Sequence, residues 1–148
     1  MQPIDLRSEV EINAPAARVF EVLMDFERYH EWNPFIPTIK GTPAVGKRLT
    51  LELSLPEGKT YALRPQVTQL ETGSELRWRG SYLSPLLLET EHYFLLSERG
   101  ELTRFAQGQK LSGFLLRFAG NDLNLTLRGF AYMNQALKKR CETGRRTR

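Results

Sequence analysis

The sequence predicts an α+β domain, with helices packed on one face of an antiparallel sheet. Apolar residues repeat at helical spacing near both ends of the 148-residue chain and at a spacing of two through its middle. The middle segments are joined mostly by short, turn-like connections, which favours a meander over crossover units.

Residues 4–13 alternate loosely, with Ile4, Leu6, Val10 and Ile12 on one side, and read as the first strand. Asn13 suits an N-cap, and Pro15 falls in the first helical turn, where its missing N–H costs nothing. The stretch AARVFEVLMDF then places Val19, Leu23 and Phe26 at i, i+4, i+7, with Phe20 beside them, the pattern of an amphipathic helix of about three turns. FERYHEW carries a second short helix, stopped at Asn33–Pro34 because the residue before proline is pushed out of the α region.

From there the period changes. A short strand fits 36–42, and in RLTLELSL the residues Leu49, Leu51, Leu53 and Leu55 share one face while Thr50, Glu52 and Ser54 share the other. Four further strands fit about 60–70, 75–82, 87–97 and 101–112, with turns at PEGK (56–59), ETGS (71–74) and ERGE (98–101). The connection near Ser84–Pro85 is longer and more apolar. The last element is a long helix ending near Arg140 or Glu142, with Leu123, Leu127, Phe130, Asn134 and Leu137 on one stripe. Gly120-Asn121-Asp122 supplies either its N-cap or a break in a helix already begun after Gly113. Two short helices, seven strands and a long helix make one domain over 1–142, followed by a basic tail at 143–148.

Composition excludes several classes. At 41% hydrophobic and 26% charged residues the chain is that of a globular protein, not a disordered one. The net charge of +4 is concentrated at the end: the last eleven residues hold six Lys/Arg and one Glu, so the rest sums to −1. Nucleic-acid binding is therefore not expected, and Lys138, Lys139 and Arg140 are read as cations completing a helix C-terminus. No apolar run approaches the roughly 18–20 residues that span a bilayer, and the N-terminus lacks the basic-then-apolar order of a signal peptide. The single cysteine, Cys141, forbids an intrachain disulfide, so a cytoplasmic location is the default expectation. Its place among cations at a helix end could lower the thiol pKa, but a single thiol in a terminal turn is more often incidental. No phosphate loop, nucleophile elbow or metal-ligand cluster is present, and His30 and His92 lie far apart, so no metal and no cofactor are expected.

The segments EINAPAARVFEVLMDFERYHEWNPFI and GFAYMNQALKKRCE, separated by the meander, resemble the SRPBCC superfamily. This is the START-like or helix-grip fold of birch-pollen-type allergens, plant hormone receptors, lipid-transfer domains and polyketide cyclase/dehydrase-type proteins. Thr103-Arg104-Phe105 and Ser112-Gly113 ahead of the last helix are similar to small bacterial members. The resemblance implies a curved seven-stranded antiparallel sheet wrapped round the C-terminal helix, with an apolar cavity between them.

Within that frame His92 is the leading polar candidate. Thr90, His92, Phe94 and Leu96 share the strand face with fewer charges, which is assigned to the interior, where an imidazole orients a ligand oxygen, moves a proton, or is simply a satisfied core histidine. Thr103, Phe105, Gln107 and Gln109 form the matching face of the last strand, unless the two glutamines point outward. Asn134 interrupts the helix stripe, and bonding to a sheet residue would anchor the helix. Trp78 and Tyr82 share a face with Leu76, and Phe35 is the member of ERYHEWNPF expected to look inward, with Trp32 as a wedge.

Three functions follow. The first is a carrier, sensor or sequestering protein for a lipid-, polyketide- or aromatic-type molecule, held by Phe35, Leu51, Leu53, Trp78, Tyr82, His92, Phe94, Phe105, Gln107, Leu127, Phe130 and Asn134. The second is a chaperone-cofactor-type interaction module with a filled cavity. The third is a cyclase/dehydratase-like lyase with His92 as acid/base and Tyr82 or Tyr61 as donor, disfavoured by the lack of a paired acid and base in one motif. The expected partner is an apolar small molecule; association between copies is at most a weak homodimer, and no integral membrane association is expected.

Overall fold

The alternation at residues 4–12 forms strand β1 (Ile4–Ile12), which buries Leu6 and Ile12 on one face. A computed structural model describes residues 3–81, 84 and 86–144. Asn13 does not cap the next helix: Pro15 holds the cap position of α1 (Ala16–Met24), with no side-chain cap bond. Distant carboxylates serve the free amides instead, Glu98 accepting from Ala16 N and Glu142 from Asn13 N, both at 2.7 Å. α1 buries Val19, Phe20, Val22 and Leu23. A 3₁₀ turn (Phe26–Arg28) runs into α2 (Tyr29–Trp32), so the expected second helix exists in two pieces. Asn33 Oδ1 then accepts from Phe35 N at 3.0 Å and Ile36 N at 2.8 Å, a turn that sends both side chains inward.

The remaining strands are β2 (Thr38–Lys40), β3 (Thr50–Ser54), β4 (Thr60–Leu63), β5 (Gln66–Glu71), β6 (Glu75–Ser81), β7 (Glu89–Arg99) and β8 (Leu102–Ser112). They form a five-stranded sheet in the order β1-β8-β7-β6-β5 and a three-stranded sheet β2-β3-β4, every pairing antiparallel. The strand expected over 60–70 is thus two strands. Pro65 has no N–H to give a ladder, and it breaks the strand at Arg64–Pro65. The break also joins the sheets, because Pro65 O accepts from Leu49 N at 2.7 Å and Arg48 bridges Gln66.

A 3₁₀ turn (Phe114–Phe118) precedes the long helix α3 (Gly120–Gly144), so Gly120-Asn121-Asp122 opens the helix after a break. At about 1.5 Å per residue its 25 residues span about 37 Å, enough to cross the larger sheet. α3 runs two residues past Glu142, and Arg145, Arg146 and Arg148 of the expected tail lie outside the described residues. Lys138 bonds Glu142 at 2.7 Å and Glu11 O at 2.9 Å, and Arg140 bonds Glu31 at 2.6 Å, tying α3 to β1 and α2. Leu125, Phe130, Met133, Leu137 and Cys141 bury its inner face.

Among the described residues, one aromatic is buried outside this core. Tyr93 points away from α3 yet is 2% exposed, lying over Gly108, its register partner, where a Cβ would fall 2.2 Å from the ring.

Candidate functional site

His92 sits near the middle of the inner sheet face, 4% exposed and surrounded by aromatic rings. Trp78, its cross-strand partner, stacks on it at 5.5 Å between centroids; Phe94 lies at 4.7 Å, Phe130 of α3 at 5.4 Å and Phe35 at 6.2 Å. Phe35 reaches this layer because residue 129 of α3 is glycine: a Cβ there would stand 2.6 Å from the Phe35 ring. With Phe105 stacked on Phe94 at 5.9 Å, the rings fill the helix–sheet space at this level.

A chain of polar side chains leads out of the cage. His92 Nε2 meets Gln107 Oε1 at 2.9 Å, Gln107 Nε2 donates to Asn134 Oδ1 at 2.9 Å, and Asn134 Nδ2 donates to Ser8 Oγ at 3.2 Å. Asn134 thereby anchors α3 to β8 and β1. Both Gln107 and Gln109 face inward and are buried, at 0% and 7% exposure. Burial lowers the His92 pKa to about 4, against a smaller opposing effect of the Gln107 hydrogen bond. The ring is therefore neutral at ordinary pH.

Burial of the apolar side chains along α3 is uneven. Towards the C-terminal half of α3, Ile12, Leu76, Phe105, Met133 and Leu137 are all fully buried. Towards its N-terminal half, Leu53, Tyr61, Leu63, Leu88, Leu123 and Leu127 pack against the core but are only partly buried. The β3–β4 hairpin is held to α3 here: Asp122 accepts from Lys59 Nζ at 2.8 Å and from the Tyr61 hydroxyl, and Arg128 pairs with Glu57 at 3.4 Å. Lys59 first, and Tyr61 second, hold the Asp122 carboxyl below its ordinary pKa, while burial and then Asp122 raise that of Tyr61. Beside this end, Leu86, Phe114 and Phe118 are 85%, 51% and 73% exposed, on loops joined by Phe114 N to Leu86 O at 3.1 Å.

Of the residues singled out in the sequence, Phe35, Trp78, His92, Phe94, Phe105, Gln107, Phe130 and Asn134 meet in one layer, and Leu51, Leu53 and Leu127 lie on the surrounding walls. Tyr82 lies outside the described residues. The cations do not lower the Cys141 pKa: the thiol is fully buried, and desolvation pushes its pKa up to about 12 against the smaller pull of Arg18. Among the described residues no group of His, Cys, Asp and Glu could hold a metal ion, and no helix is long and apolar enough to cross a membrane. Two surface clefts lie apart from the His92 layer. One, of about 220 Å³, is walled by Arg18, Arg28, Trp32 and Arg140; its arginines already pair with Glu21, Asp25 and Glu31. The other, of about 550 Å³, lies between Phe26, His30 and the segment 37–41.

A buried polar chain in an aromatic cage, beside apolar side chains that are only partly buried, is accompanied by a family match over residues 3–105: polyketide cyclase / dehydrase and lipid transport. The chain belongs to this family. A comparison with curated proteins finds no matching relative. Solved structures agree on the fold. The Zhui aromatase/cyclase from Streptomyces sp. R1128 is 16% identical with a TM-score of 0.74, covering 99% of this chain and 97% of its own. A START superfamily protein from Mycobacterium smegmatis is 19% identical with a TM-score of 0.74, covering 94% and 97%. DynU16, from the dynemicin biosynthetic locus, is 20% identical with a TM-score of 0.72; the match covers 95% of this chain but 48% of that one, so this chain spans about half its length. At these identities the likeness concerns the helix-grip fold, the hydrophobic-ligand-binding scaffold of the polyketide cyclase/dehydrase family.

Ser8 and Gly129 were missed as members of this site, yet each left a trace. Ser8 falls between Leu6 and Val10 on the buried face of β1, and Gly129 sits beside the apolar stripe of α3.

Proposed function

We propose that this protein binds a hydrophobic small molecule of lipid, polyketide or aromatic type between the curved sheet and the N-terminal half of α3. It would act there as a carrier, sensor or sequestering protein. The observation that carries the reading is the contrast between the two ends of the helix–sheet space. Rings close one end, whereas Leu53, Tyr61, Leu63, Leu88, Leu123 and Leu127 leave apolar surface partly uncovered at the other. A ligand would complete that burial at roughly 25 cal/mol per Å² of apolar surface removed from water. The exposed Leu86, Phe114 and Phe118 give the same end an apolar rim. A cytoplasmic location belongs to the same proposal.

The lyase reading has less support. A histidine with a pKa of about 4 is a weak base near neutral pH, and the Tyr61 hydroxyl is engaged by Asp122. The interaction-module reading draws on the ring-filled half of the space and would need no ligand. Native mass spectrometry of the purified protein separates them. The binding reading expects an apolar adduct, lost when Leu127→Trp fills the open end. An adduct-free spectrum, together with no stabilisation by apolar probes, contradicts it.

A further inference from the structure

The placement of the Asn134 and Gln107 amides gives the polar chain a direction, at whose end the Ser8 hydroxyl can donate or accept. Asn134 donates its amide to Ser8, so its oxygen is left to accept from Gln107. Gln107 spends its amide nitrogen on that bond, so the atom it turns to His92 is a carbonyl oxygen, which only accepts. In that direction His92 donates from Nε2. In a neutral ring this leaves Nδ1 with a lone pair and no proton.

Nδ1 has no hydrogen-bond partner among the described residues, and neither has the side-chain amide of Gln109, the residue opposite His92 in the β7–β8 register. The unpartnered side-chain atoms cut off from solvent, among the described residues, are Arg18 Nε and Asn33 Nδ2, and neither group is one of them. Two unfilled polar groups thus stand on directly paired residues of one inner sheet face. Side chains so paired lie about 5 Å apart at Cβ, close enough to share one ligand atom.

We propose that His92 and Gln109 form a polar corner that selects an apolar ligand carrying a hydroxyl group, phenolic, enolic or alcoholic, over one whose oxygen can only accept. The hydroxyl hydrogen is given to His92 Nδ1 and its oxygen accepts from the Gln109 amide. A ketone or ether in the same place satisfies Gln109 but sets a lone pair against the Nδ1 lone pair. This rests on the reading of the helix–sheet space as a ligand site and names the chemistry that site prefers.

The test uses the full chain and two probes of nearly equal apolar surface, 2-naphthol and 2-methoxynaphthalene, titrated at pH 7. The naphthol is expected to bind at least tenfold more tightly, and His92→Phe, which keeps an aromatic ring in the cage, should bring the two within about threefold. Equal binding of both probes to the natural chain overturns the polar corner while leaving the apolar site standing. Binding of neither overturns both. A second measurement needs no variant: a long-range ¹H–¹⁵N spectrum of His92 in the unliganded protein should show a protonated Nε2 and a bare Nδ1. The opposite tautomer, which would follow if every amide in the chain were turned over, contradicts the proposal.

Discussion

Asn134 and His92 are expensive residues to bury, and each makes a measurable demand on the protein. Asn134→Leu would leave the Gln107 amide without its acceptor in a closed, apolar layer. A stranded buried donor costs about 1–3 kcal/mol, so the variant should unfold at lower urea with its m-value unchanged, despite the added apolar surface. His92 acts through pH. Its folded pKa of about 4 lies below the ordinary 6.5, so on acidification the unfolded chain takes up the proton first. Stability from this group is complete above about pH 6.5 and is lost as pH falls to about 4, by on the order of 3 kcal/mol. Urea unfolding at pH 7.5 and pH 4.5, on the natural chain and on His92→Phe, checks this: the variant should lose clearly less stability over that interval. These residues were legible in the sequence as gaps. Ser8, Gln107, Gln109 and Asn134 each interrupt an otherwise apolar face on β1, β8 or α3. What no single stripe reveals is that three of the gaps, with His92, close into one chain, because that depends on the register of β1 with β8 and on the rotation of α3.

At the scale of elements, α3 and the chain after α2 are fitted to each other at Gly129. Glycine inside a helix ordinarily costs up to about 1 kcal/mol relative to alanine, so Gly129→Ala should help α3 in isolation. In the protein the new Cβ would meet the Phe35 ring at 2.6 Å. The clash should win: a net loss of about 1–3 kcal/mol is expected in thermal or urea unfolding, recovered in part by Phe35→Leu in the same chain. Full stability of the single variant would show that Phe35 is not wedged against the helix. Element order was readable from period and turn chemistry, and the strand at 60–70 shows where such reading stops. Its alternation continues past Pro65, but the missing N–H divides the ladder, and a one-strand expectation becomes two strands in two sheets. Asn13 failed as a cap for a different reason. Glu98 and Glu142, both far along the chain, reach the start of α1, and no local pattern contains them.

For the whole molecule, burial differs between the two ends of one helix: Phe130, Met133 and Leu137 are fully buried at the closed end, whereas Leu123 and Leu127 at the open end are only partly buried. Closed-end burial is what holds sheet and helix together, so apolar residues there need no ligand to explain them. At the open end the β3–β4 hairpin, held to α3 by Lys59, Tyr61 and Asp122, covers apolar side chains that the protein itself leaves incompletely buried. The amino-acid pattern could place Leu53 and Leu127 on inward faces but could not say how fully they would be covered, since that depends on how closely two sheets and a helix approach. The most direct measurement is a fluorescence titration with the apolar dye N-phenyl-1-naphthylamine, on the natural chain and on Leu127→Trp. The binding account predicts saturable one-to-one binding with a blue-shifted spectrum, weakened at least tenfold by the tryptophan. No saturable binding, or equal affinity for both proteins, would contradict it.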